Sequence, residues 1–392
     1  MEVLLRVPPC MHPHSPGHRC VRLHKALACI AKQRVKASCS IDLFATTTIK
    51  NSGDATALAS CRTFSGSIAI ATDTTDNIAL DGIRTIVGDL VVSENSEMKS
   101  LSASDLGTIS GSFVLNIVEI LTTLDFPSLS VVNAIEWYGV PNLQGLSSTT
   151  TIRASSLLSI QNTQLHSLDG ISLDGSGGVA NAVVIVNNPY LNNLTIPIRE
   201  VSTSLTVHGN GASMSVALPN LVSAKNITLA NCTSAHLPAL ATVQGTASLS
   251  WNYFNALYVP NLTSVDQSLL MLGNEQLVNL TMSSLRSIRG DLHLSHNGRL
   301  KIIDGFTDLK SVGGDLSCSD GFTEQVSIRK ASEGSVADSS QRQISIPCQC
   351  ERRHDSRLVR LQLQYSQFRR RSQRPLYVWR CSTSEQPASV KL

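Results

Sequence analysis

The chain has 392 residues and a formal charge of +3, with 16% charged and 4% aromatic residues. Residues 1–36 hold seven Lys/Arg against one acid and residues 324–392 hold thirteen against six, which leaves twelve basic against twenty-two acidic residues between them. An acidic middle with basic ends argues against the basic face that nucleic acid needs, the run Arg369-Arg370-Arg371 notwithstanding, and no apolar run is long enough to span a membrane.

In chain order, residues 1–38 form an irregular basic segment with Pro8-Pro9 and no apolar run of seven or more, so no conventional signal peptide is readable. Residues 39–66 read as an N-terminal cap. Cys39 and Cys61 are 22 residues apart, one repeat length, so they either bridge adjacent layers or stay as two buried thiols. A bridge would imply an oxidising compartment and contribute about 3 kcal/mol in the chain-entropy picture. Cys232 reads as a lone core thiol, and Cys318 as an inward residue with a partner cysteine beyond it. Cys348-Gln349-Cys350 has one intervening residue, too few for a zinc knuckle, and no metal or cofactor is expected.

Residues 67–323 are a repeat. Its units open at Ile68, Leu90, Phe113, Ile135, Leu158, Val184, Leu205, Ile227, Leu249, Leu270, Leu292 and Leu316, and subtraction gives steps of 22, 23, 22, 23, 26, 21, 22, 22, 21, 22 and 24 residues. A fixed period of this size means stacked units, each unable to bury its apolar face alone. Units open on an apolar-x-apolar triplet such as Leu90-Val91-Val92 or Leu292-His293-Leu294, the alternation of a strand with one buried face. A turn-forming Asn follows in many of them (Asn95, Asn162, Asn188, Asn231, Asn252, Asn274, Asn297) and predicts an asparagine ladder. Pro-x-Leu corners such as Pro219-Asn220-Leu221 prevent long helices. The expected fold is all-β: a right-handed parallel β-solenoid, leucine-rich-repeat-like, with about twelve turns of roughly 22 residues stacked about 4.8 Å apart.

The long step after Leu158 holds Gly170 and Asp174-Gly175-Ser176-Gly177-Gly178, an insertion expected to bulge as a loop on a functional face. The outward residues at the triplet centres form a candidate binding face: Val91, Val114, Glu136, Ser159, Ile185, Thr206, Thr228, Ser250, Met271 and His293. Glu136 and His293 are its ionisable members, and seven turns separate them, too far to share a proton. No nucleophile elbow, phosphate-cradling glycine loop or H-E-x-x-H occurs, so no catalytic residue is expected. Five sequons begin at Asn193, Asn226, Asn231, Asn261 and Asn279, and composition alone yields about that many; Asn231 lies on the expected ladder, which favours Asn193, Asn261 and Asn279. Residues 324–392 are basic and without triplets.

The region from about Ala37 to Phe322 resembles the fungal GPI-anchored cell-wall organisation family, which includes sporulation-specific and extracellular-mutant wall proteins and is similar in turn to receptor L domains. The resemblance is carried by Ser38-Cys39-Ser40, by Cys61 before Thr63-Phe64-Ser65-Gly66, by the repeated Gly-Asp-Leu openings, by Val140-Pro141-Asn142-Leu143 and by Gly314-Asp315-Leu316-Ser317-Cys318-Ser319. It implies a glycosylated, non-catalytic surface protein needed for wall integrity, with wall polysaccharide or wall proteins as partners. Members carry a signal peptide and an anchor-attachment tail, and neither is readable here. Both ends are therefore expected to come from a wrong start and a retained intron or frameshift, because repeat quality collapses where composition turns basic. The alternatives are a ligand-binding receptor ectodomain using the 174–178 insertion, and a divergent polysaccharide-active enzyme using Glu136.

Overall fold

The structure, a computed structural model, describes residues 39–40, 45–173, 177–300 and 306–318, together with the strands Val326–Ile328 and Ile344–Ile346, which pair antiparallel. Expectations for residues 1–38, for Asp174 to Ser176, for most of 324–392 and for a partner of Cys318 fall outside the described residues.

From Thr46 to Cys318 the fold is a parallel β-solenoid in which each strand pairs with the strands one turn before and after it. A turn begins with a short lead-in strand such as Thr63–Ser65 or Thr85–Val87, kinks, and continues as a main strand such as Ser67–Ile70 or Leu90–Asn95. Lead-in and main strands merge in Thr108–Val118 and Val131–Val140, where a register shift between Val132 and Ala134 marks the kink. After a corner, a third strand lies on another side, as in Ser100–Ser102 and Thr123–Asp125 and later in Asn193–Thr195 through Asn279–Thr281. Alternation decides which residues face inward: Ile68, Ile70, Leu90, Val92, Phe113 and Leu115 are buried, while Ala69, Val91 and Val114 between them are half-exposed.

Twelve predicted main strands are present. A thirteenth, Thr46–Ile49, comes from the cap and pairs with Ser67–Ile70, so the cap contributes a rung of its own. Three registers differ from the sequence expectation. The first inward residues are Val183, Ala247 and Leu269 rather than Val184, Leu249 and Leu270, as the pairs Leu158 with Val183, Ile227 with Ala247 and Leu269 with Leu292 establish; Leu249 stays inward as the second buried residue of its strand. The steps from Leu158 onward are thus 25, 22, 22, 20, 22, 23 and 24. Adjacent apolar residues, as in Leu269-Leu270-Met271-Leu272, fit either face, and pairing with neighbouring turns sets the register because a one-residue slip inverts every side chain.

The insertion is partly strand. Ile171–Leu173 pairs back onto Ile152–Ala154, whereas Val179-Ala180 pairs forward onto Glu200-Val201, so the lead-in is doubled in that turn.

Behind the main strands runs the asparagine ladder, one residue out of step with the expectation at two rungs. The backbone N–H of Asn252 donates to Oδ1 of Asn274 (2.9 Å), and that of Asn274 to Oδ1 of Asn297 (3.1 Å). Their Nδ2 groups donate to the carbonyls of Leu229 and Leu249 (2.9 and 2.8 Å), joining consecutive turns. Asn188 and Asn210 do the same further up. Asn162 and Asn231 sit one residue earlier, with φ of +56° and +60°, and Thr163 and Cys232 take the ladder positions.

Cys232 is therefore a thiol where its neighbours have carboxamides, and burial pushes it up to about 12. At pH 8 the thiolate is scarce, so an alkylating reagent should leave the peptide containing Cys232 unmodified in native protein and label it only in denaturant. Peptide mass spectrometry reads this directly, and native-state labelling would contradict it.

Phe113 anchors an aromatic cluster, tilted against Phe126 at 5.1 Å and edge-on to Trp137 at 5.6 Å. Nε1 of Trp137 is buried without a hydrogen-bond partner. An orphaned N–H costs about 1–3 kcal/mol, which offsets much of the volume that phenylalanine would lose. Trp137→Phe is expected to change stability by less than about 1 kcal/mol, against about 3–5 kcal/mol for Trp137→Ala, as read by chemical denaturation.

Candidate functional surface

The main strands present one outward residue per rung, and register defines the row: Thr48, Ala69, Val91, Val114, Glu136, Ser159, Val184, Thr206, Thr228, Ser248, Leu270, His293 and Ser317. Seven of the ten predicted face residues (Val91, Val114, Glu136, Ser159, Thr206, Thr228 and His293) hold these positions. Ile185 and Met271 are fully buried because their strands take the other register, and Ser250 is nearly so because its strand ends at Leu249; Val184, Leu270 and Ser248 face outward instead.

The two ionisable members of the row have local roles. Glu136 accepts a hydrogen bond from Oγ of Ser112 (2.8 Å), and Nε2 of His293 lies 3.8 Å from Oδ2 of Asp291. They are seven rungs apart, about 34 Å at the strand spacing. Among the described residues no three His, Cys, Asp or Glu side chains gather as metal ligands.

At or just past the end of ten of the main strands stands a residue with positive φ: Glu94, Ile117, Gly139, Asn162, Asn187, Gly209, Asn231, Trp251, Gly273 and His296, all between +52° and +68°. Three large members precede a glycine by one turn. Ile117 lies over Gly139, Asn187 over Gly209 and Trp251 over Gly273, and a Cβ at Gly209 or Gly273 would overlap the side chain above it. These glycines supply both the left-handed conformation and the floor on which a neighbour rests. The Trp251 ring lies along the corner and is 59% exposed; Tyr253 and Tyr258 in the same turn are 56% and 57% exposed. Further along the solenoid the His166 and Tyr190 rings stack at 5.0 Å. Reading triplets alone misses this cluster. Its sequence signal is the run Trp251-Asn252-Tyr253 with Gly273 one repeat later.

The sequon asparagines differ in how far their carboxamides are engaged. Nδ2 of Asn226 donates to the carbonyl of Thr203 (3.2 Å) while its Oδ1 accepts from the Thr246 N–H (3.1 Å), and Nδ2 of Asn261 donates to the carbonyl of Pro238 (2.7 Å). Asn231 is half-buried in the positive-φ column. Asn193 and Asn279 are exposed at the starts of two third-side strands.

The cap is closed by the disulfide Cys39–Cys61, with 5.3 Å between Cα atoms. Cys61 is buried, and the Ser65 N–H donates to the Cys39 carbonyl (3.1 Å). The helix Ser52–Ala57 is capped by Asn51, whose side chain accepts from the Asp54 N–H.

No family model matches the chain, and no solved structure matches it. Among curated proteins it is 30% identical over 276 residues to a cell surface GPI-anchored protein of Arthroderma benhamiae, covering 70% of each chain. It is 32% identical over 246 residues to protein ecm33 of Aspergillus fumigatus (62% of this chain, 61% of that one) and 30% identical over 268 residues to sporulation-specific protein 2 of Saccharomyces cerevisiae (68% and 53%). The match thus spans a little over half to 70% of these relatives' length. At this identity and coverage, the chain belongs to the fungal cell-surface and cell-wall protein family that contains Ecm33 and the sporulation-specific proteins.

Proposed function

We propose that this chain is a non-catalytic surface glycoprotein that organises the fungal cell wall by docking wall components along its turns. The observation that carries the reading is the thirteen-rung outward row, in which the two ionisable side chains lie seven rungs apart. Such a row offers many equivalent contacts and no acid–base pair, which suits an extended partner better than a reaction. The partners are wall polysaccharide or wall proteins. N-glycans are expected at Asn193 and Asn279, where nothing competes for the carboxamide, and an anchor of the kind named for the relatives would hold the chain at the cell surface.

The test is deletion of the gene in its own host, followed by complementation. Deletion should sensitise cells to wall-binding dyes and osmotic shock, and a Glu136→Gln/His293→Ala variant should restore resistance as well as the unmodified gene does. Failure of that variant would favour the enzymatic reading. An unaffected wall in the deletion strain, with the protein recovered from inside the cell, would sink the proposal.

A further inference from the structure

We propose that the corner around Trp251 is a carbohydrate-stacking site, and that its occupant is a neutral, gluco-configured polysaccharide running along the stack of turns. The inference rests on the wall reading and names the polymer class and the residues that take it.

Trp251 violates two preferences at once. It is a bulky non-glycine residue at φ +60°, a conformation such side chains rarely adopt, and it leaves a large apolar ring 59% exposed. Neither feature helps the fold, since asparagine or glycine fills the same place on neighbouring turns without strain. The ring is nonetheless supported: Gly273 on the next turn leaves room for it to lie against the backbone, so one face rests on protein while the ring stays open to solvent. Tyr253 and Tyr258 add two more exposed rings within eight residues of chain.

The surroundings select the ligand. Across the three adjacent turns, residues 229–236, 250–258 and 272–281, there is no Lys or Arg, and apart from tyrosine and the buried Cys232 the ionisable groups are His236 and Glu275. A charged polymer or an anionic membrane finds no counter-charge there. In gluco-configured sugars the ring hydroxyls are equatorial, so the pyranose faces are C–H surfaces that fit a flat aromatic ring; mannose places its 2-hydroxyl axially and spoils one face. The stacked pair His166 and Tyr190 lies in the loops that follow the positive-φ residues Asn162 and Asn187, and the Tyr190 turn is three rungs from the Trp251 turn, about 14 Å along the stack. Two aromatic stations along the stack suit a chain of sugars better than a single one.

The test uses the full chain purified from a secretory host, with retention on insoluble β-1,3-glucan, chitin and mannan and tryptophan fluorescence as readouts. The unmodified protein should bind a gluco-configured polymer and not mannan. Trp251→Asn should weaken binding about tenfold or more, as loss of a central aromatic anchor does, with the melting temperature unchanged or raised because asparagine accepts positive φ. Tyr138→Ala, which removes an exposed aromatic from the outer sheet face, should leave binding intact. The proposal is overturned if no gluco-configured polymer is retained or if Trp251→Asn binds like the unmodified protein. It is also overturned if Trp251→Asn instead abolishes self-association in sedimentation, or if glycosidase treatment shows that a glycan on Asn231 already covers the ring and blocks the polymer. Deletion of the gene separates the two readings. A wall defect without polymer binding removes the stacking site and keeps the wall role; no wall defect removes the wall role whatever binds.

Discussion

Replacing Asn252 with alanine is expected to destabilise the solenoid by about 2–4 kcal/mol, a large loss for the removal of one carboxamide. Asn252 is buried and joins three turns: Oδ1 accepts the Cys232 N–H at 3.1 Å, Nδ2 donates to the Leu229 carbonyl at 2.9 Å, and its own N–H donates to Asn274. Alanine keeps the last bond and leaves the Cys232 N–H without a partner, at about 1–3 kcal/mol in a site that excludes water, while the Leu229 carbonyl loses one of two bonds and keeps the one from the Ser250 N–H (3.2 Å). The rung above matters, because Cys232 has no carboxamide to share the load. Asn252→Asp should be at least as damaging, since it retains the acceptor but loses the donor and buries a charge. Denaturant midpoints decide the point, and a loss under about 1 kcal/mol would mean that water or a backbone shift fills the gap.

Removing the cap disulfide with Cys39→Ser/Cys61→Ser is expected to cost about 3 kcal/mol, the figure for a closed loop of about this length. The effect should be local. Nearest-neighbour contacts dominate a solenoid, so the end that loses its clamp frays first. Hydrogen exchange should show protection falling in Thr46–Ile49 and Ser67–Ile70 while Leu292–Ser295 keeps its rates. Uniform loss of protection along the chain would mean that the turns unfold as one unit.

The period was legible because it is written in residues whose placement has few alternatives. Isolated triplets such as Leu90-Val91-Val92 have polar flanks and admit one register, and Cys39 with Cys61 matches a single step. Legibility ended where apolar residues crowd together. In Ala182-Val183-Val184-Ile185-Val186 either alternation buries two or three large side chains, and the neighbouring turns make the choice. Asn162 and Asn231 were misread for a related reason: asparagine suits both the positive-φ column and the ladder beside it, and the two positions are adjacent. The candidate surface was half legible. Its outward row followed from alternation, whereas the aromatic corner arises from residues a full turn apart, Trp251 and Gly273, whose relation appears only when turns are stacked.

Pairing at one-turn intervals also bears on how the chain reaches its fold. All-β proteins ordinarily fold slowly because their strands meet across long stretches of sequence, yet here the typical partner is 22 residues away in a chain of 392, a relative contact order of roughly 0.06. That value lies with helical bundles. Each completed turn is a template for the next, so assembly can advance from the closed cap as the chain emerges, exposing little more than one unpaired edge at a time. Length added by gaining turns should therefore leave the folding rate per turn unchanged, a property few sheet proteins of this size share.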